Sequence, residues 1–333
     1  MKKVAINGFG RIGRLTFREL FDQEGIEIVA INDSGSPEML AHILKYDSAH
    51  GKYKVDSIEA RENSIVVDGK EVIICSDRDP RNLPWRKLQI DLVLECTGAF
   101  KTTKKSLMHI EAGAKKVLIS APPKDKETKQ IVFSVNEGVL DGSELVVSAS
   151  SCTTNCLTPA MKSINDRFEV ISGSMNTIHA YTNDQRIMDA KHKDMRRARA
   201  GATNIIPTST GAAKAIDKVI PSLKGKLAGM ALRVPVITGS YVDLKLTLKG
   251  NVTAEEINNA FEEDSSDSLG ITYDPLVSSD IIGIKYGSLV DGLLTKTVQT
   301  EVGTMVSIGL WYDNEMSYTS QYVRLTKYIL GVK

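Results

Sequence analysis

Lys3-Val-Ala-Ile-Asn-Gly-Phe-Gly-Arg-Ile-Gly-Arg14 is a short apolar strand running into Gly8-x-Gly10-x-x-Gly13, followed by a helical pattern of Ile12, Leu15, Phe17, Leu20 and Phe21. A second strand, Ile26-Glu-Ile-Val-Ala-Ile-Asn-Asp33, then ends in an acid twenty residues past Gly13. A glycine-rich turn alone carries little weight. With a strand before it, a helix after it and an acid at the end of the next strand, it reads as a dinucleotide fingerprint. Gly8 permits the tight turn, Gly10 lets backbone approach a pyrophosphate at the helix N-terminus, and Gly13 lets helix pack on strand. Asp33 is then the acceptor for an adenosine ribose. A strand-to-helix turn without a ligand is the competing reading.

Ser64-Ile-Val-Val-Asp-Gly-Lys-Glu-Val-Ile-Ile-Cys75 predicts a hairpin turning at Asp68-Gly69. Asp91-Leu-Val-Leu-Glu-Cys-Thr-Gly98 and Lys116-Val-Leu-Ile-Ser-Ala-Pro122 are continuous apolar runs, as suits parallel strands buried on both faces. Thr97, Gly98 and Ser120 stand where these runs end, the side of an open α/β sheet on which ligands lie. Turn chemistry explains small residues there equally well. These patterns predict a Rossmann-type, doubly wound parallel sheet (α/β) over residues 1–151, with an amphipathic C-terminal helix, 316–333, returning to it.

Val147-Ser-Ala-Ser-Ser-Cys-Thr-Thr-Asn-Cys-Leu-Thr-Pro159 joins a strand to a helix, with Cys152 at the seam. The free amides and dipole at a helix start stabilise a thiolate and predict a thiol lowered from about 8.5 toward or below neutrality. A cysteine is more often a small buried hydrophobe, but the flanking Ser and Thr residues make a poor core. Beyond it the pattern changes. Glu169–Tyr181, Ala228–Pro235, Ser240–Leu248 and Thr304–Trp311 are longer, alternating strands, and Thr253-Ala-Glu-Glu256 is a capping box. Residues 152–315 therefore read as an α+β catalytic domain with a mixed, mainly antiparallel sheet and helices on one face. A long loop, 181–203, carries Arg196, Arg197 and Arg199, either a solvated run or a phosphate-binding cluster.

At 333 residues the chain fits two domains, and a formal charge of +1 offers no global case for nucleic acid or membranes. Four cysteines (Cys75, Cys96, Cys152, Cys156) make neither a disulfide framework nor, with so few His nearby, a metal site. No apolar leader or membrane span is evident, and the expected compartment is the cytoplasm. His179, at a strand end leading into the long loop, is the candidate base; His42, His50, His109 and His192 have no comparable link to the cysteine. A nicotinamide fold with a reactive cysteine suggests aldehyde oxidation through a thioester. The thiolate attacks the aldehyde, the hemithioacetal yields hydride, and His179 takes the hydroxyl proton.

Ala149-Ser-Ser-Cys-Thr-Thr-Asn-Cys156, His179-Ala-Tyr-Thr-Asn-Asp-Gln185, Arg196-Arg-Ala-Arg199, Ile206-Pro-Thr-Ser-Thr-Gly-Ala-Ala-Lys214 and Trp311-Tyr-Asp-Asn-Glu315 resemble the phosphorylating glyceraldehyde-3-phosphate dehydrogenase family. The resemblance runs over essentially the whole chain. It implies a homotetramer that converts D-glyceraldehyde 3-phosphate, inorganic phosphate and NAD or NADP to 1,3-bisphosphoglycerate. It implies Cys152 as nucleophile and His179 as its base. Thr182 and Arg233 match the site for the substrate's phosphate, and Ser151, Thr153, Arg197, Thr210 and Gly211 that for the attacking inorganic phosphate. Arg11, Ile12, Asp33, Arg78, Ser120 and Asn314 match cofactor contacts. Ser34-Gly35-Ser36 and Ala190-Lys191 resemble the NADP-accepting branch, against which Asp33 itself stands; neutral change at the surface is the alternative. Two other readings remain: erythrose-4-phosphate dehydrogenase, in which water cleaves the thioester, and a nucleotide-binding or adhesion protein that keeps the fold without the catalysis.

Overall fold

Val4, Ala5 and Ile6 are fully buried in the computed structural model, which describes residues 1–332. Their strand, Lys2–Asn7, stands inside a nine-stranded sheet whose order is Lys129–Gln130, Val146–Ser148, Lys116–Ile119, Leu92–Glu95, Lys2–Asn7, Ile26–Asn32, Lys70–Cys75, Ser64–Val67, Ile58–Arg61. Pairing is parallel as far as Lys70–Cys75 and antiparallel over the last two strands. Val93, Leu94, Val117 and Leu118 are buried, as continuous apolar runs in a covered parallel sheet must be. The expected hairpin forms: Asp68 (φ 48°) and Gly69 (φ 76°) are both left-handed, as a two-residue turn matching strand twist requires. Chain order reverses on either side of Lys2–Asn7, so a crevice opens beyond its carboxyl end.

The chain divides into two compact units. The first comprises Met1–Phe133, Glu137–Ser150 and the chain from Tyr322 onward; the second comprises Ser134–Asn136 and Ser151–Gln321. The helix expected near the C-terminus spans Met316–Leu330, and the change of unit falls inside it. In the first unit Tyr322 donates through its hydroxyl to the Leu118 carbonyl at 2.6 Å. Lys333, the end of the expected segment, lies outside the described residues.

The second unit holds a seven-stranded sheet: Ile206–Thr208, Leu227–Val234, Val170–Ala180, Ser240–Leu248, Gly303–Tyr312, Ser288–Thr300, Leu269–Thr272. Val170–Ala180 runs parallel to Leu227–Val234, as does Leu269–Thr272 to Ser288–Thr300; the other neighbours are antiparallel. Along Ser240–Leu248 alternate residues are buried. One face therefore meets the unit's core, while Ile171, Met230, Leu294, Val298 and Met305 stay exposed. The helix Cys152–Arg167 buries Cys156, Leu157, Ala160, Met161 and Ile164. Thr253 and Glu256 form the anticipated capping box. Strand Ser288–Thr300 and helix Ala212–Val219 were not anticipated.

Candidate active site

In the first unit a hollow of about 540 Å³ is walled by Asn7, Gly8, Asn32, Asp33, Ser34, Asp77, Arg78, Thr97 and Phe100. Helix Arg11–Leu20 starts at Gly10 with no side-chain cap and no acid in its first turn. A Cβ on Gly10 would meet open space, whereas one on Gly13 would stand 2.1 Å from the Gly8 carbonyl oxygen. An uncapped helix start beside open space suits a pyrophosphate. Asp33 accepts from the Phe9 amide (2.7 Å) and the Gly35 amide (3.0 Å), which ties the glycine turn to the end of the second strand. Gly10, Arg11, Ile12, Gly13, Gly98 and Ser120 lie outside this wall. Arg11 is engaged by Asp47 and by His50. Asn314 belongs to the second unit, where its side-chain oxygen accepts from Ser240 (2.8 Å) and Thr238 (3.2 Å).

Glu95 carries a role that sequence reasoning missed. Fully buried, it accepts from the Thr97 amide at 2.8 Å and from the Asn7 side chain at 2.5 Å, while Asn32 donates to Asn7 at 2.7 Å. These bonds fix the floor of the hollow. An acid inside the apolar run Leu92-Val-Leu-Glu95 was the available signal.

In the second unit Cys152 opens its helix behind Ser151, whose hydroxyl caps the Thr154 amide at 3.2 Å. Its sulfur lies 3.4 Å from His179 Nε2 and 4.0 Å from the Thr153 hydroxyl. Strand pairing sets Arg233 beside His179, with Nη1 2.7 Å from the ring's Nδ1. Tyr312, also not foreseen, is fully buried with its ring edge-on to the imidazole, and its hydroxyl bridges Thr153 (3.0 Å) and Thr177 (2.8 Å). It joins the cysteine helix to the histidine strand.

The expectation of a thiol lowered toward neutrality is corrected here. Burial pushes the Cys152 thiol above its ordinary value; the charge of Arg233, the Thr153 hydroxyl and the helix-start amides pull it down without reversing that. Burial first, then the charges of Arg233 and Arg197, hold His179 down to about 3, against an ordinary 6.5. Burial thus opposes charge on both members of the pair, and Arg233 favours the thiolate while disfavouring the imidazolium.

The depressed histidine has a consequence for stability. Near pH 5 the unfolded chain protonates this ring while the folded chain does not, so its contribution is fully present above about 6.5 and is lost as pH falls toward 3. Within that window it costs about 1.4 kcal/mol per pH unit. Urea unfolding between pH 7 and 4 is expected to show a shallower loss of stability in His179→Asn than in the unaltered chain; parallel slopes would exclude the effect.

Arg197 donates to Thr208 (2.9 Å) and to the Ser209 carbonyl (3.2 Å), and pairs with Asp184. Arg199 pairs with Asp189, so two members of the basic cluster are answered by acids of the same loop. The Thr182 amide donates to Gln185, Thr210 accepts from the Ala212 amide, and Gly211 caps helix Ala212–Val219. Cys156 is buried one turn beyond Cys152, its thiol directed to Ser288, which fits a packing role.

The nucleotide hollow of one unit and the thiol–imidazole pair of the other define a class, an NAD(P)-dependent oxidoreductase. Residues 2–103 match the family model for the glyceraldehyde 3-phosphate dehydrogenase NAD binding domain, and 151–314 that for its C-terminal domain. Glyceraldehyde-3-phosphate dehydrogenase of Clostridium pasteurianum is 56% identical over 334 aligned residues, covering 100% of this chain and 99% of the relative. That of Clostridium acetobutylicum is 55% identical with the same coverage, and that of Streptococcus pyogenes 51% identical over 99% of this chain and 98% of the relative. The chain belongs to the glyceraldehyde-3-phosphate dehydrogenase family. Among the described residues no helix is long and apolar enough to cross a membrane.

Proposed function

We propose that the protein oxidises D-glyceraldehyde 3-phosphate to 1,3-bisphosphoglycerate through a thioester on Cys152, with inorganic phosphate as the second substrate. The observation that carries this reading is the 3.4 Å contact between Cys152 Sγ and His179 Nε2. The sulfur bonds to the aldehyde carbon as its proton passes to Nε2 and from there to the carbonyl oxygen, giving a hemithioacetal and freeing Nε2 again. His179 next holds the proton of the hemithioacetal hydroxyl as the carbon is oxidised. The bound nicotinamide supplies the hydride acceptor. Inorganic phosphate then displaces the sulfur, and Arg233, Thr182, Arg197, Ser151, Thr153, Thr210 and Gly211 supply the donors for the two anions.

Asp33 and Asp77 on the wall of the hollow support NAD over NADP. Asp33 is pinned by two amides, so a 2′-phosphate placed there meets a fixed like charge. Ser36 does not offset this, because its hydroxyl caps the next helix at the Met39 amide and bonds Glu38. The exposed apolar sheet face of the second unit, with a hollow of about 460 Å³ lined by Ile178, Val234, Val236, Tyr241, Leu294 and Trp311, supports self-association, in keeping with a homotetramer. Four free cysteines support a reducing compartment such as the cytoplasm.

Initial rates with glyceraldehyde 3-phosphate test the reading. Turnover is expected to require inorganic phosphate and to favour NAD over NADP by about tenfold or more in kcat/KM, the equivalent of 1.4 kcal/mol. Equal rates without phosphate would favour the erythrose-4-phosphate type of reaction, and an NADP preference would overturn the cofactor assignment. Cofactor binding without aldehyde turnover would favour a non-catalytic role.

A further inference from the structure

Behind the wall of the nucleotide hollow four donors converge on one carboxylate, and one of them comes from a residue outside that wall. Glu95 accepts from the Asn7 side chain, from the amide and the hydroxyl of Thr97, and from His109 Nε2 at 3.3 Å. Asn7 and Thr97 stand on the wall, and His109 does not. His109 is fully buried on helix Thr103–Glu111, whose two buried residues, Ser106 and His109, are both polar, so apolar packing does not account for it. Each end of this chain of contacts is oriented by a group that only donates. The Trp85 indole N–H donates to His109 Nδ1 at 3.0 Å, which leaves the ring proton on Nε2, facing Glu95. At the other end the Asp77 amide donates to Asn32 Oδ1 at 3.0 Å, which turns the Asn32 NH2 to Asn7 Oδ1 (2.7 Å) and the Asn7 NH2 to Glu95. That NH2 lies 3.4 Å from His109 Nε2; both groups donate, and the carboxylate they share is what holds them together. The His109 ring also stands edge-on to Phe100 of the wall, with centroids 5.7 Å apart.

We propose that His109 is a positioning residue for the cofactor, acting through Glu95 on Asn7 and Thr97 and itself oriented by Trp85. The proposal rests on the reading that this hollow takes the nucleotide. A carboxylate out of water needs its donors, and one deprived of His109 turns toward those that remain. Those are Asn7 and Thr97, so a loss behind the wall is felt on the wall. An apolar side chain at position 95 would serve the fold alone with less desolvation. A carboxylate does what an apolar group cannot: it ties the end of strand Lys2–Asn7, the turn at Thr97 and helix Thr103–Glu111 to a single point. The wall is thereby held in one shape before the cofactor arrives.

The test is calorimetric titration of the full-length protein with NAD, beside initial rates. His109→Leu is expected to raise the Kd and KM for NAD about tenfold, with kcat at saturating NAD and KM for glyceraldehyde 3-phosphate within about twofold of the unaltered protein. His109→Gln, whose amide donates where Nε2 does, should return NAD affinity to within about threefold. Glu95→Gln, equal in size, should weaken NAD comparably, and adding His109→Leu to it should cost little more, because both act through one carboxylate. Unchanged NAD affinity in His109→Leu, no rescue by His109→Gln, or additive losses in the double variant would each overturn the proposal. Trp85→Phe keeps the histidine and removes the N–H that orients it; it should weaken NAD several-fold, and it decides the matter if His109→Leu does not fold. Ala99→Trp, at an exposed position on the wall, separates the two ways of failing. Affinity lost there but kept in His109→Leu removes the positioning role, and affinity kept in both removes the hollow as the nucleotide site.

Discussion

Replacing Cys152 by serine is expected to lower kcat for glyceraldehyde 3-phosphate by about a thousandfold or more, equivalent to about 4 kcal/mol of barrier. Serine fits the helix start as cysteine does, and the cap comes from Ser151, so the fold has no reason to change. The chemistry does have one. A hydroxyl is far harder to ionise than a thiol, and the imidazole beside it, held down to about 3, is a poor base for so weak an acid. NAD affinity should stay within a few-fold, because the wall of the nucleotide hollow consists of first-unit residues. Rates and a cofactor titration on the same preparation check both halves. Activity within tenfold of the unaltered enzyme would remove Cys152 as the nucleophile.

The fold was legible where a local pattern and a buried surface agree. The glycine spacing, the strand ends and the Asp68-Gly69 turn each state a backbone requirement, and each is met. Strand Ser288–Thr300 was illegible because Asp291-Gly292 reads as a turn; the strand absorbs it in a register shift between Asp291 and Lys296. At the site, the cysteine and histidine were legible as types in suggestive places. The helix-start argument for a thiolate nevertheless failed, because the sequence states the dipole and conceals the desolvation that outweighs it. The Tyr312 bridge and the Arg233–His179 contact were equally hidden. Both arise from neighbouring strands far apart in the chain, a matter of register rather than of local pattern.

Gly13→Ala is the other substitution with a large expected effect, and Gly10→Ala separates its causes. A Cβ at Gly13 meets the Gly8 carbonyl oxygen at 2.1 Å and the Ile6 side chain at 3.3 Å. The helix cannot retreat without uncovering Leu15, Phe17 and Leu20, all fully buried. Gly8 cannot yield either: its amide donates to the Asn32 carbonyl at 2.8 Å, and its own Cβ position is 2.8 Å from the Thr97 amide nitrogen. The cost should reach the upper part of the roughly 1–3 kcal/mol seen for overpacked cores. That lowers Tm by about 2–4 °C per kcal/mol for a unit of this size, and it loosens the turn at Gly8 that walls the hollow. At Gly10 the backbone (φ −73°) suits alanine and the Cβ points into open space. Gly10→Ala should therefore leave Tm unchanged and still weaken NAD binding by tenfold or so, about 1.4 kcal/mol, because the methyl group occupies the approach to the helix start. Calorimetry and cofactor titration of the two variants decide the matter. Normal NAD affinity in Gly10→Ala would show that the open space at this helix start is not where the pyrophosphate lies.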